Sequence, residues 1–270
     1  MPAPAGRHRV TRKRFTAAAV ALAALGGGTV YAIDSSADSA QAASGCAAYE
    51  SITMGKYWIN NNTWGSDKGT GWSCVWDSYR SGNTIGWGTN YEWSGQSNAV
   101  KSYASSVLGW HWGWKSKDTG LPVKLSARTP VKSTWAFKVT DSTDSVYNVA
   151  YDLWLHDTAD TDWQSTPKHE VMVWLDKNGG AGPLGTKKQR VKIAGAYWDL
   201  YVGNIGWNVY SFVRVGNTTS VDFNLDDFLQ ALVRRSLVSK TDYLSSVEAG
   251  TEVFTGKAQL DTTAYSTNVG

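Results

Sequence analysis

The chain has 270 residues, among them 15 Trp, 13 Tyr and 27 Gly, with 18% charged residues and a formal net charge of +3. The first 42 residues carry five of the 26 Lys and Arg and two of the 23 Asp and Glu, so the remainder is formally neutral. This excludes a basic nucleic-acid surface as the organising feature, and the length suits one sizeable domain.

In chain order, Arg7, Arg9, Arg12, Lys13 and Arg14 precede an Ala-rich apolar run over 15–33, and Ala40-Gln41-Ala42 fits a small-x-small cleavage pattern. A membrane anchor is the alternative, because the run approaches spanning length. Three consecutive glycines, Gly26 to Gly28, and the downstream Ala-x-Ala favour a secretory signal peptide over 1–42. The mature chain, 43–270, is then expected to be one extracellular domain with no membrane attachment.

Only Cys46 and Cys74 are present. In an exported chain they are expected to pair, stabilising by roughly 3–4 kcal/mol in the chain-entropy model and tying the first strand into a sheet. Beyond the leader the histidines are His111, His156 and His169, none suitably spaced with the cysteines for zinc. No metal or other cofactor is expected.

Most of the mature chain reads as short strands punctuated by Gly, Asn, Asp and Ser. The clearest are 56–60, 133–139, 146–155, 169–175, 187–193, 196–202, 208–215 and 251–254. Their connections are too short for crossover helices, so antiparallel pairing is expected. One helix stands out, because Leu225, Phe228, Leu229, Leu232 and Val233 form an amphipathic stripe. Asn224 suits its cap, Asp226 and Asp227 the positive end of the dipole, and Arg234 and Arg235 the other end. The fold expected is all-β: a jelly-roll sandwich of two antiparallel sheets with a concave cleft and this short helix packed outside.

Within 168–175 (Lys-His-Glu-Val-Met-Val-Trp-Leu), alternation puts Glu170, Met172 and Trp174 on one face and Val171, Val173 and Leu175 on the other. An unpaired buried carboxylate is costly, so Glu170 needs partners or a use. The mature chain has four other glutamates: Glu50, Glu92, Glu248 and Glu252. Glu248, Gly250, Glu252 and Phe254 share a face, with Glu248 expected nearer solvent at the strand's start. Two carboxylates on neighbouring strands are what glycoside hydrolysis needs, one at the anomeric carbon and one carrying a proton to the leaving oxygen. Desolvation and neighbouring charge raise the acid's pKa. Two unrelated surface glutamates are the alternative. A third acid, Asp152, shares a face with Trp154, and its segment is expected to pair with the Glu170 strand as a hairpin. Asp152 then either supports Glu170 or caps backbone at a strand edge. The many indoles exceed what a core uses economically, so some are expected at the surface as platforms for pyranose rings.

These segments together resemble a family 12 glycoside hydrolase, over about 45–270. The matching residues are Asn60-Asn61-Asn62-Thr63-Trp64-Gly65, Val100-Lys101-Ser102-Tyr103, Ala150-Tyr151-Asp152-Leu153-Trp154, Glu170-Val171-Met172-Val173-Trp174-Leu175, Gly182-Pro183-Leu184-Gly185, Tyr243-Leu244 and Gly250-Thr251-Glu252-Val253-Phe254-Thr255-Gly256. The resemblance implies an endo-β-1,4-glucanase that retains configuration through a glycosyl-enzyme intermediate, with a β-glucan as partner and no metal. It implies Glu170 as nucleophile, Glu252 as general acid/base and Asp152 as the acid supporting the nucleophile. Asn62, Trp64, Met172 and Trp174 match substrate-binding positions, Trp174 equally a packing position. A carboxyl separation of roughly 5–5.5 Å goes with retention. The Trp-rich stretch 84–119 departs from the pattern, which leaves the preferred β-glucan open, xyloglucan included. A noncatalytic carbohydrate-binding sandwich and a xylanase of related architecture remain the rivals. A monomer is expected.

Overall fold

The computed structural model describes residues 43–112, 114–162 and 164–270; the leader expected over 1–42 lies outside them. Two sheets pack face to face and share the long last strand.

The smaller sheet has the order β1 (Ser44–Gly45), β4 (Gly69–Ser81), β5 (Thr84–Gly95), the second part of β16 (Tyr243–Val269), β9 (Val131–Asp141) and β15 (Ser220–Asn224). The larger runs β2 (Ser51–Met54), β3 (Tyr57–Asn60), β6 (Ser102–His111), the first part of β16, β10 (Val146–His156), β11 (His169–Asn178), β14 (Asn208–Arg214), β13 (Ala196–Asn204) and β12 (Thr186–Ile193). Two short strands, β7 (Trp114–Lys115) and β8 (Val123–Lys124), pair with β6 and β16.

The two parts of β16 meet at Gly256. Up to Thr255 the strand pairs with β10, and from Gly256 it pairs with β5. Gly256 has φ +95°, a left-handed conformation open to glycine, and a Cβ there would lie 2.5 Å from the Ser145 Cα. The bend sends one strand into both sheets and brings the first half across the cleft floor.

Pairing is antiparallel except between β11 and β14, which run parallel with Glu170 beside Val209. The hairpin β12–β13 lies in sequence between them, giving the chain the length a parallel return needs. The expectation of purely antiparallel sheets is corrected at this one pair.

Strands between the sheets alternate as their sequences dictate. Val131, Ser133, Trp135 and Phe137 of β9 are buried, while the residues between them are more exposed. The core is aromatic. Trp135 packs against Phe137 and Tyr151 at centroid distances of 5.0 and 5.1 Å, beyond which Tyr265 and Tyr57 continue the stack.

Helix α1 (Asp226–Val233) lies against the back of the larger sheet beside edge strand β15. Phe228 meets Trp198 of β13 at 4.9 Å and Phe212 of β14 at 5.2 Å. The Asn224 side chain accepts the Asp226 N–H at 3.3 Å and the Val131 N–H at 2.7 Å, tying the start of the helix to β9; the cap position itself falls one residue later than expected, on Leu225, which has no side-chain cap. The disulfide Cys46–Cys74 holds β1 beside β4, as the cysteine count suggested.

Candidate active site

The concave face of the larger sheet is built from the alternating residues of three central strands. On β11 these are Glu170, Met172 and Trp174; on β10, Asn148, Ala150, Asp152 and Trp154; on β16, Glu248, Gly250, Glu252 and Phe254. Register then sets the neighbours. Glu170 stands opposite Trp154, Met172 opposite Asp152, and Asp152 opposite Glu248. The hairpin expected between the Asp152 and Glu170 segments is present as β10–β11.

A cavity of about 700 Å³ opens on this face. Asp152, Glu170 and Glu252 lie on its floor, with Met172 and Trp174 beside them and Asn62 and Trp64 toward the β3 side. All the expected site residues therefore line one cleft.

Glu170 is 8% exposed. Its Oε2 accepts the Trp207 Nε1–H at 2.7 Å. Burial pushes its pKa up to about 8; the indole N–H works against that, and the charges of Glu252 and Glu248 add to it. Glu252, two strands away, is pushed up to about 7 by burial, partly offset by the Asn148 amide. That amide holds Glu252 at two points: Nδ2–H donates to its Oε2, and Oδ1 accepts its backbone N–H at 3.1 Å. Asp152 is raised well above the ordinary carboxyl range, first by burial and then by the charges of Glu170, Glu248 and Glu252. No hydrogen bond joins Asp152 to Glu170, and its Oδ1 has no partner among the described residues.

Buried carboxyls this close do not all ionise at neutral pH, so the cluster retains a proton shared by coupled sites. Taken singly, Glu252 would ionise before Glu170, but the first ionisation belongs to the coupled cluster; the form with Glu170 as carboxylate and Glu252 as carboxylic acid is the one that lets one group attack while the other protonates.

Trp64 is 49% exposed, and the Lys68 ammonium lies over its ring, 4.8 Å from the centroid. Trp174 is 2% exposed and its N–H points to the Met172 sulfur at 3.4 Å, so its ring packs rather than offering a stacking surface. His169 faces away from the cleft, near Asp242 at 3.3 Å and packed at a tilt against Tyr210.

Several site residues escaped the sequence reading. Glu248 was expected nearer solvent; it is fully buried and meets His111, Trp154 and Ser105. The strand does not start at Glu248 but five residues earlier, at Tyr243, so the acid sits mid-sheet. Trp207, in the β13–β14 turn, reaches Glu170, and only its place after Gly206 in a turn hinted at an exposed ring. Within the Trp-rich stretch, Trp87, Trp93 and Trp110 are packed, whereas Trp112 is 40% exposed and forms a wall with Trp154 and Trp207, at 4.7 and 5.9 Å.

Residues 55–270 match the family described as Glycosyl hydrolase family 12. The chain is 38% identical over 224 residues to Endoglucanase S of Pectobacterium parmentieri, covering 79% of this chain and 82% of that one. It is 39% identical over 230 residues to the xyloglucan-specific endo-beta-1,4-glucanase A of Aspergillus aculeatus, covering 83% and 90%. Among solved structures, the native family 12 xyloglucanase from Bacillus licheniformis superimposes with a TM-score of 0.77 at 35% identity, covering 84% of this chain and all of that one.

Proposed function

The chain belongs to glycosyl hydrolase family 12 and is a glycoside hydrolase, and from that premise we propose an endo-β-1,4-glucanase acting with retention of configuration. The observation that carries this reading is the convergence of Glu170, Asp152 and Glu252 on the floor of a cleft walled by indoles.

Glu170 attacks the anomeric carbon of a bound glucosyl unit. The C1–O4 bond breaks, and Glu252 gives its proton to the departing oxygen. A water then attacks the glycosyl-enzyme, its proton passing to Glu252 as the C1–Glu170 bond breaks. The Trp207 N–H aligns Glu170 for the first step, and Asp152, buried between the two, keeps a proton in the cluster. Asn62 and Trp64 bind the chain on the β3 side, Trp64 by stacking. Met172 and Trp174 shape the floor.

The enzyme is read as exported, its single domain spanning 43–270, and monomeric. The Cys46–Cys74 bond supports an oxidising compartment. Xyloglucan is the second substrate reading, favoured by the specificity named for the Aspergillus relative.

Reducing-end release from carboxymethyl cellulose, barley glucan, xyloglucan and xylan tests the reading, with Glu170→Gln and Glu252→Gln alongside wild type. The expected result is β-glucan hydrolysis lost by about 10²–10⁴-fold in either variant. A β-anomer appearing first by NMR marks retention. Substantial activity in either variant would overturn the roles, inactive wild type would favour a binding module, and faster turnover of xylan would favour a xylanase.

A further inference from the structure

A second carboxylate–imidazole couple lies beneath the cleft wall. Glu248 Oε1 accepts the His111 Nδ1–H at 2.7 Å and the Trp154 Nε1–H at 3.0 Å, and its Oε2 accepts the Ser105 hydroxyl at 3.2 Å. Glu248 is fully buried and His111 is 8% exposed. A carboxylate buried this completely needs this much compensation. The couple is not remote from the chemistry. Trp154 stands opposite Glu170 on the neighbouring strand, and its ring lies 5.6 Å from Trp207, the residue that donates to Glu170. Glu248 itself stands opposite Asp152.

We propose that Glu248 and His111 form a positioning couple for the nucleophile: Glu248 fixes the Trp154 indole against Trp207, and the imidazolium of His111 balances the charge that Glu248 places beside Asp152 and Glu170. This rests on Glu170 being the nucleophile.

Groups from several elements face Glu248. From β6 come His111, Ser105 and Tyr103; from β10, Asp152 and Trp154; from β11, Glu170; from its own strand, Glu252 and Tyr265. Tyr103 and Tyr265 are raised well above neutrality, burial first, and do not titrate in the working range. Against His111 pack the rings of Trp58 and Trp112, at 5.7 and 5.4 Å. Burial alone pulls His111 down, but the charge and hydrogen bond of Glu248 outweigh it and the net shift is upward. The charge of Glu248 acts on Asp152 and Glu170; for Glu252 the causes are burial and Asn148 alone.

The two partners have opposite effects on ionisation of the Glu170–Asp152 pair. Glu248→Gln keeps an acceptor for Trp154 but removes a negative charge, so the limb of kcat/KM that follows this pair moves to lower pH by roughly one unit. His111→Gln removes the balancing positive charge, so the same limb moves to higher pH. The limb that follows Glu252, set by burial and the Asn148 amide, moves less in both. Loss of folded protein scales a whole profile without moving its limbs.

The experiment is the pH profile of kcat/KM on barley glucan for wild type and both variants, with ¹⁵N NMR of the His111 ring in wild type at pH 7. Opposite shifts of the limb that follows the Glu170–Asp152 pair and a doubly protonated ring support the couple. Unmoved limbs, shifts in one common direction, or a neutral His111 overturn it. If neither variant folds, the ring measurement on wild type decides alone. The nucleophile assignment fails separately, through activity in Glu170→Gln.

Discussion

The site carries a stability cost that a single substitution relieves. Glu252 is buried, and its pKa is raised from 4.5 to about 7, chiefly by desolvation. The folded chain therefore holds this proton to higher pH than the unfolded chain does. The associated stability is fully present below about pH 4.5, is lost as pH rises to about 7, and changes little beyond. At 1.36 kcal/mol per unit, the ionised group costs roughly 3 kcal/mol at pH 8 but less than about 1 kcal/mol at pH 5. Glu252→Gln removes the titration and leaves an oxygen for the Asn148 amide to bond. At about 2–4 °C per kcal/mol for a domain of this size, the variant should melt roughly 6–12 °C above wild type at pH 8 and only about 2–3 °C above it at pH 5. Thermal unfolding by circular dichroism at both pH values measures the gap. An equal gap at the two pH values, or a variant less stable than wild type at pH 8, would refute burial of an ionisable group as the source.

Three further outcomes are expected. Trp207→Phe keeps a ring in the wall but removes the donor to Glu170, a hydrogen bond to a charged group worth about 1.5–3 kcal/mol; the limb of kcat/KM that follows Glu170 should rise by about 1–2 units, and an unchanged limb would mean the bond is absent in solution. Trp64→Ala deletes a half-exposed cleft ring, and KM for soluble glucan should rise about tenfold with kcat little changed, since stacking and area burial contribute roughly 1.5 kcal/mol; initial-rate kinetics decide. Reducing Cys46–Cys74, which closes a loop of separation 28, should destabilise by roughly 3–4 kcal/mol, seen as a lower midpoint in denaturant with reductant than without.

Beyond residue 42, alternation and turns are enough to predict strands, and register within a strand comes from a period of two. That is why Glu170, Met172 and Trp174 share one face and Glu252 and Phe254 another such face; the helix is legible separately, from the 3.6-residue stripe of Leu225 to Val233 and the charges at its ends. Strands β4, β5 and β6 were missed because Gly, Ser and Trp break the simple apolar alternation there; Gly86 and Gly88 are places where Tyr79 and Trp76 lie over the backbone.

The environment of each acid was decided elsewhere. Glu248 and Glu252 share a face of one strand at a spacing of four, and nothing local distinguishes them. Glu252 meets an amide from β10, whereas Glu248 meets an imidazole from the end of β6. Those partners are 104 and 137 residues away in sequence, and only the order of strands in the larger sheet, with β16 bent at Gly256, brings them together. Sequence by itself determined which way each carboxyl faces, because backbone geometry along a strand is local. What each carboxyl faces, and so which proton it holds, depends on burial and charge summed across several strands, and tertiary structure alone decided that.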